Sequence, residues 1–229
     1  METTKKARIY NVIILDKSGS MSSIARQAID GVNESLASVR SSQLRDPEQD
    51  NRVSLVAFCG CETRVIYDAV PIAEAKDITE NDYRPCCMTP LYDAVGTTLT
   101  RLRQTTKDEK CAVAVTIITD GYENASREFS GQAVKQLIED CRKQGWMIAY
   151  IGADHDVEAV AAELNICNVL AFDKTAGGTS KMFAKERTSK LAWLARMKDR
   201  LTDESLSKDE LFGAMSDDSI HYFDPDTDK

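Results

Sequence analysis

Three separated segments of the chain carry oxygen-bearing side chains at spacings that suit a metal ion. They are Asp16-Lys17-Ser18-Gly19-Ser20, Thr89-Pro90 and Thr119-Asp120-Gly121. Gly19 permits a tight turn, so one carboxylate and two hydroxyls of the first segment can converge on one point. Such oxygens are hard ligands that suit Mg²⁺, with Mn²⁺ or Ca²⁺ as alternatives, better than zinc or copper. The predicted metal ligands are Asp16, Ser18, Ser20, Thr89 and Asp120.

Each segment also has an ordinary structural explanation. Ser20 or Ser22 could cap the helix that follows, and Thr89-Pro90 matches an N-cap and a first helical position. Asp120-Gly121 is a common turn pair. The metal site is favoured by the conjunction of the three segments, in this order and in these positions relative to the strands.

The segments lie where β-rich runs end or amphipathic helices begin. The predicted strands are residues 8–15, 52–58, 63–67, 111–119, 146–151 and 168–172. The predicted helices are residues 22–41, a helix that begins after Thr89-Pro90, and residues 130–144, 156–164 and 180–200. This alternation predicts an α/β fold with a Rossmann-like, doubly wound, mostly parallel central sheet, one antiparallel edge strand and helices on both faces. Ligands of such sheets bind beyond the carboxyl ends of the strands, where Asp16 and Asp120 are expected to meet.

This combination resembles the metal ion-dependent adhesion site (MIDAS) of von Willebrand factor A (vWA) domains. The resemblance rests on Asp16-x-Ser18-x-Ser20, on Thr89 in the run T-P-L-x-D-A, and on Asp120-Gly121, and it covers about residues 8–172. Residues 151–156 (I-G-A-D-H-D), with Gly178-Thr179, also resemble a bacterial and phage subgroup of vWA proteins, which extends the similarity to about residue 197.

The resemblance implies a role for each predicted ligand. Ser18 and Ser20 bind the metal directly, Thr89 does so in the ligand-bound state, and Asp16 and Asp120 act mostly through ordered water. Neutral hydroxyls leave the cation electrophilic, so an Asp or Glu carboxylate of a protein partner supplies the missing anionic ligand. The function implied is therefore a non-catalytic, cation-dependent protein-binding module. In the family the change of direct ligand is coupled to loop movement, which is a hypothesis for this chain.

Residues beside the predicted metal site are candidates for partner contact: Met88, Tyr122, Glu123, Asn124 and His155. They lie in loops, where binding residues concentrate. A histidine between two aspartates, such as His155, is also typical of a simply solvated position. Cys86-Cys87-Met88 replaces the small residues that precede the threonine in related loops. These bulky side chains could shape the rim, close the site on oxidation, or pack beneath the sheet edge.

Two other functions compete with this interpretation. One is a Mg²⁺-dependent hydrolase of phosphate esters with Asp16 as nucleophile. Such enzymes resemble D-x-D at this position, whereas this chain has Ser18, and neither a P-loop nor a G-x-S-x-G elbow occurs. The other is a vWA scaffold that binds partners without metal, which the intact set of five oxygen residues disfavours. We therefore expect no enzymatic activity.

The charge distribution indicates how the chain is organised. Net charge is −8 over 229 residues, but residues 174–200 carry +6 and residues 201–229 carry −7. We predict a vWA domain over residues 1–172, a basic helix over 173–200 that packs on or flanks it, and an acidic tail over 201–229. Pairing between helix and tail is one explanation of the charges, and two solvated faces is the favoured one.

The composition also limits the partners. An acidic body argues against nucleic acid, and no apolar run approaches the roughly 18 residues of a membrane span. The N-terminus lacks the apolar core of a signal peptide, so a cytoplasmic location is expected. The aspartates of the tail could offer a carboxylate to the metal of a second copy: Asp217, Asp218, Asp224, Asp226 and Asp228.

Seven cysteines are present, and several lie in apolar runs. Cys59-Gly60-Cys61 and Cys86-Cys87 do not match the C-x₂-C pairs of zinc sites. Free cysteine behaves as a small apolar residue, so reduced and mostly buried thiols are expected.

Overall fold

One six-stranded sheet forms the centre of the molecule, in a computed structural model that describes residues 6–154 and 156–223. Its strands are β1 (Ala7–Asp16), β2 (Gln49–Cys59), β3 (Glu62–Pro71), β4 (Cys111–Thr119), β5 (Met147–Gly152) and β6 (Asn168–Ala171). They lie in the order β3-β2-β1-β4-β5-β6. Among these strands β3 alone runs antiparallel to its neighbour, at one edge of the sheet. The predicted mostly parallel α/β sheet with one antiparallel edge strand is confirmed.

Helices cover both faces of this sheet. A 3₁₀ helix, Gly19–Ile24, precedes α1 (Ala25–Arg45), and the later helices are α2 (Leu91–Thr106), α3 (Gly131–Arg142), α4 (Val157–Glu163), α5 (Ala176–Thr202) and α6 (Lys208–Ile220). The predicted helix over residues 22–41 thus begins as a 3₁₀ turn and continues to Arg45. Helix α5 is longer at both ends than the predicted 180–200. No helix of the described residues is long and apolar enough to span a bilayer.

Strand β1 shows how the sheet divides the core into two layers. Ile9 and Ile13 face the layer that contains α1, α5 and α6. Val12 and Ile14 face the layer that contains α2, α3 and α4. Successive side chains of a strand point to opposite faces, so a strand covered on both faces is apolar throughout. This double burial explains the continuous apolar run that leads to Asp16.

Helices α5 and α6 belong to the first of these layers. Trp193 of α5 and Met215 of α6 are fully buried in the same core as β1 and α1. Phe183 of α5 packs so closely on Gly31 of α1 that a Cβ at residue 31 would lie 2.2 Å from the phenyl ring. The core therefore continues across residues 172 and 200, at which the sequence-based division separates the basic helix and the acidic tail from the main domain.

A buried polar network also fixes α5. The ammonium of Lys190 lies 2.6 Å from Glu186 Oε1, and both side chains are at most 3% exposed. The same carboxylate accepts hydrogen bonds from Thr116 of β4 at 3.2 Å and from the Tyr222 hydroxyl at 3.3 Å. A buried charge requires such partners, because an unpaired one would destabilise the fold strongly. The network joins α5, the central strand and the segment after α6.

The basic helix and the acidic segment after it are in direct contact. Arg200 of α5 donates to Asp218 of α6 at 2.9 Å. The basic helix and the acidic segment thus form at least one intramolecular ion pair, although two separately solvated faces were the favoured explanation of their charges. Asp217 is exposed. The candidate residue His155, the tail residues Asp224, Asp226 and Asp228, and residues 1–5 lie outside the described residues.

Candidate metal centre

The carboxyl ends of β1 and β4 bring the first and third segments together. The two strands are parallel neighbours, with Leu15 paired to Ile118. Asp16 therefore ends its strand beside Thr119 and Asp120. Asp16 and Asp120 are at most 3% exposed, which is unusual for carboxylates, and Ser18 is 2% exposed. The expectation that the two aspartates share one edge of the sheet is met.

Hydrogen bonds fix the Asp16 carboxylate from two sides. Its Oδ1 accepts from the backbone N–H of Ser18 at 2.6 Å, and its Oδ2 accepts from the Thr119 hydroxyl at 2.6 Å. The Tyr83 hydroxyl donates to the backbone carbonyl of Asp16, also at 2.6 Å. Burial raises the pKa of Asp16, the bonds from Thr119 and Ser18 oppose this rise, and the charge of Asp120 adds to it. Thr119 and Tyr83 thus position Asp16, a role that the sequence did not reveal.

The two serine hydroxyls link Asp16's loop to Asp120. Ser18 Oγ lies 3.1 Å from Ser20 Oγ, and Ser20 Oγ donates to Asp120 Oδ1 at 2.6 Å. Ser18 stands at the N-cap position of the 3₁₀ helix but makes no side-chain capping bond. The capping explanation also fails for Ser20, which lies inside this helix and donates to Asp120. The Ser22 hydroxyl donates to the Gly19 carbonyl at 2.7 Å.

Thr89 approaches the same group of oxygens from the start of α2. A Cβ placed on Gly121 would lie 3.8 Å from Thr89 Oγ1 and 3.9 Å from Ser20 Oγ, so both hydroxyls border the space beside this glycine. The N-cap of α2 is Pro90, so Thr89 lies one residue before the N-cap position. The capping explanation of Thr89 is therefore wrong, and its hydroxyl borders the space that the glycine leaves open.

The loop after Asp120 is braced by its own polar side chains. Asn124 accepts from the Thr89 backbone N–H at 2.8 Å and donates its own backbone N–H to the Thr89 carbonyl at 3.1 Å. The Glu123 carboxylate accepts from the backbone N–H groups of Tyr92, Ala125 and Ser126 at 2.7–2.9 Å. Two of the predicted partner-binding residues, Glu123 and Asn124, thus hold the loops of the site in place.

Met88 and Tyr122 present the largest apolar surfaces at this edge. Each is 54% exposed, and each is adjacent in sequence to a residue of the site. Tyr122 is also anchored, because its hydroxyl accepts the backbone N–H of Asp156 at 3.0 Å. An anchored aromatic ring and a flexible thioether beside a polar centre are suited to contact with a protein partner.

A lysine that the sequence did not single out reaches the site. Lys174, between β6 and α5, places Nζ 2.6 Å from Asp120 Oδ2 and 3.3 Å from Asp154 Oδ2. Its side chain is only 15% exposed. Burial acts to lower the pKa of Lys174, but the two carboxylates outweigh it and raise the pKa overall. The buried Oδ2 of Asp120 is therefore paired with a cation of the same chain.

The cysteines near the site depart from the sequence-based expectation. Cys61 and Cys87 are joined by a disulfide, so the prediction of reduced thiols is wrong for this pair. Cys59, Cys111 and Cys141 are free and buried, as expected. Spacing alone could not predict the bond, because it depends on the β2–β3 turn lying against the loop before Thr89.

The oxygens gathered here fit a hard divalent cation. Two carboxylates and three hydroxyls, from three distant segments, border one region at the sheet edge, and no sulfur or imidazole ligand is among them. Such a donor set matches Mg²⁺, Mn²⁺ or Ca²⁺. Ser18, Ser20 and Thr89 contribute the neutral oxygens of this set, and Asp16 and Asp120 contribute the anionic ones.

Comparison with known proteins identifies the fold. No protein-family model matches the sequence, and no curated protein does. Among solved structures, proximal thread matrix protein 1 from the mussel byssus, with a zinc-occupied MIDAS motif, has a TM-score of 0.55 at 12% identity, over 82% of this chain and 46% of that one. The SpRpn10 VWA domain has 0.51 at 11% identity, over 77% and 94%.

A third similar structure is manganese-loaded TRAP of Plasmodium vivax, with a TM-score of 0.50 at 17% identity, over 79% of this chain and 74% of that one. The chain therefore has the Rossmann-like vWA fold. It spans less than half the length of the mussel protein.

Proposed function

We propose that this chain is a non-catalytic protein-binding module whose affinity for its partner depends on a divalent cation. Ser18, Ser20 and Thr89 would hold the cation, with Asp16 and Asp120 set behind them. The cation supplies an electrophilic point that accepts one more anionic ligand, and an Asp or Glu side chain of the partner provides it. Mg²⁺ is the proposed metal, with Mn²⁺ or Ca²⁺ as alternatives.

The observation that carries the proposal is the link between Ser20 and Asp120. Their oxygens lie 2.6 Å apart although the residues are 100 positions apart in the chain. The neighbouring hydroxyls of Ser18 and Thr89 are not used for helix capping. The solved structures with zinc and manganese give independent support, because this fold carries divalent metals in those proteins.

The competing phosphate-ester hydrolase fits the geometry less well. Its nucleophile would be Asp16, which is fully buried. Both carboxylate oxygens of Asp16 already accept hydrogen bonds, from Ser18 and Thr119. A nucleophile must reach the reacting atom directly, and these contacts favour a supporting role for Asp16.

Calorimetric titration with Mg²⁺ tests the metal part of the proposal. We expect Ser20→Ala to weaken Mg²⁺ binding by at least about 10-fold, because even indirect support of a metal ligand is worth that much. Ser20 is exposed, so the variant should fold normally. The matched control is Ser38→Ala, a half-buried serine of α1 whose hydroxyl bonds its own helix at the Glu34 carbonyl. Equal Mg²⁺ affinity of the two variants would contradict the proposal.

Immobilised peptides with one Asp or Glu, each paired with its Asn or Gln counterpart, test the partner chemistry. We expect binding of the acidic peptides in Mg²⁺ and none in chelator. Met88→Ala and Tyr122→Ala should weaken peptide binding and leave Mg²⁺ affinity unchanged. Leu44→Ala is the matched control, since Leu44 is 83% exposed on α1 and outside the site. Metal-independent binding, or equal binding of the amide peptides, would favour the metal-free vWA scaffold.

Two further predictions from the sequence concern self-association and location. Self-association through the acidic tail remains a hypothesis, and Asp218 is the less suitable donor because it already pairs with Arg200. A cytoplasmic location also remains a prediction from the sequence.

A further inference from the structure

Four cysteines from two loops meet beside the candidate metal centre. Cys59 and Cys61 flank the β2–β3 turn, and Cys86 and Cys87 lie in the loop before Thr89. The sulfurs of Cys59, Cys61 and Cys86 all lie within 4.8 Å of one another. Cys87 is bonded to Cys61, so its sulfur belongs to the same group. We call these four residues the cysteine cluster.

Backbone hydrogen bonds hold the two loops of the cysteine cluster together without help from sulfur. The N–H of Gly60 donates to the Met88 carbonyl at 2.7 Å. Lys17 bridges the same two segments, because its N–H donates to the Phe58 carbonyl at 2.7 Å and its carbonyl accepts from the N–H of Cys86 at 2.8 Å. Gly60 is packed so closely that a Cβ there would lie 3.1 Å from the Met88 nitrogen. The sulfurs are therefore brought together by the fold, and this arrangement does not depend on the Cys61–Cys87 bond.

The spacing of the sulfurs suits a tetrahedral metal. Zinc–sulfur distances of about 2.3 Å place the sulfurs of a tetrahedral site about 3.8 Å apart. Cys59 Sγ and Cys86 Sγ are 3.4 Å apart, and the three-sulfur group extends to at most 4.8 Å. The measured distance is close to the ideal spacing, and the upper bound on the other two is compatible with it. Thiolates are soft ligands that select zinc over magnesium, the opposite preference to the oxygen site.

We propose that the cysteine cluster, with all four thiols reduced, binds one Zn²⁺ ion as a tetrathiolate site separate from the oxygen site. The metal would join the β2–β3 turn to the loop that carries Thr89. The disulfide is the oxidised alternative for two of the four ligands. This site is independent of the proposed function, because it contains none of the oxygen ligands.

Reduction of the disulfide precedes metal binding. With a phosphine reductant, phosphorus takes the oxygen of one water molecule and becomes a phosphine oxide, and the two hydrogens of that water end on the sulfurs of Cys61 and Cys87. Zinc then displaces the protons of the thiols.

Cobalt titration of the reduced full chain tests the proposal. Co²⁺ bound to thiolates gives an intense charge-transfer absorption in the near ultraviolet, which an oxygen site cannot give. We expect this band to saturate at one Co²⁺ per chain and to disappear when Zn²⁺ is added. Cys61→Ser and Cys87→Ser should each weaken or abolish it. Both residues are exposed, so these variants are expected to fold, which circular dichroism checks.

Two controls make the result specific. Cys167→Ser removes an exposed free cysteine outside the cluster and should leave the band unchanged. Ser20→Ala should also leave it unchanged, so that loss of Mg²⁺ binding and loss of thiolate binding are distinguished. The proposal is overturned if reduced wild-type protein shows no charge-transfer band. It is equally overturned if the band survives in both Cys61→Ser and Cys87→Ser.

Discussion

Replacement of Lys174 by methionine should strengthen metal binding. The Lys174 ammonium lies 2.6 Å from Asp120 Oδ2, while Ser20 occupies the other oxygen of the same carboxylate. A divalent cation that binds near Asp120 would be repelled by the Lys174 ammonium, which is already paired with the Asp120 carboxylate. Methionine keeps much of the length and apolar character of the lysine stem but removes the charge.

The size of the effect follows from the burial of the pair. Lys174 is 15% exposed and the Asp120 side chain is 0% exposed, so water screens their interaction weakly. Hydrogen bonds to charged groups contribute about 1.5–3 kcal/mol, which corresponds to about a 10- to 140-fold change in an equilibrium constant. We therefore expect Mg²⁺ to bind Lys174→Met about 10- to 140-fold more tightly than wild type.

Calorimetry and urea unfolding provide two independent measurements. Without metal, Lys174→Met leaves the Asp120 carboxylate poorly paired and should be less stable by about 1–3 kcal/mol. Saturating Mg²⁺ should restore most of that stability. Lys181→Met is the matched control, because it makes the same charge change at an exposed position of α5. If Lys174→Met binds Mg²⁺ no more tightly than Lys181→Met, the competition between lysine and metal is refuted.

Three further predictions concern the fold and its charge. Gly31→Ala should lower the free energy of unfolding in urea by about 1–3 kcal/mol, because its Cβ would meet Phe183 at 2.2 Å; unchanged stability would show that α5 shifts freely. Glu186→Gln should lower the free energy of unfolding by about 3–5 kcal/mol, because it leaves the charge of Lys190 buried without its ion-pair partner. The double variant Glu186→Gln/Lys190→Met should recover part of this free energy, and no recovery would contradict the charge argument. The raised pKa of Asp16 means that the Asp16 carboxyl group holds its proton more tightly in the folded state than in the unfolded state. In chelator, wild type should therefore lose stability relative to Asp16→Asn as the pH rises through that raised pKa. Parallel curves of unfolding free energy against pH for the two proteins would disprove this prediction.

The fold was predictable because its central strands have strong signals. Strand β4 is buried along its whole length, and its nine apolar or small residues form one uninterrupted run. The turn Cys59-Gly60-Cys61 likewise allowed the antiparallel pair of β2 and β3 to be predicted. Element ends were less predictable, since α1 continues to Arg45 through exposed or half-exposed residues, whose helical state depends on growth from the preceding turns.

The oxygen residues of the site were predictable because parallel strands bring their carboxyl ends to one edge. Lys174 was not, because its reach to Asp120 depends on the path of the turn between β6 and α5. The inward direction of Glu123 was also hidden, since a glutamate in a polar loop has no sequence signal that separates bracing from solvation. The disulfide between Cys61 and Cys87 required the relative placement of two loops.

Strand β3 limits the ways in which another chain can join this molecule. Its exposed side chains include Glu62, Arg64 and Asp68, and each forms an ion pair with a residue outside the strand. An incoming strand would have to displace these charges, and the strand ends at Pro71, which has no N–H to donate. Docking of another chain by sheet extension is therefore disfavoured along the β3 edge of the sheet.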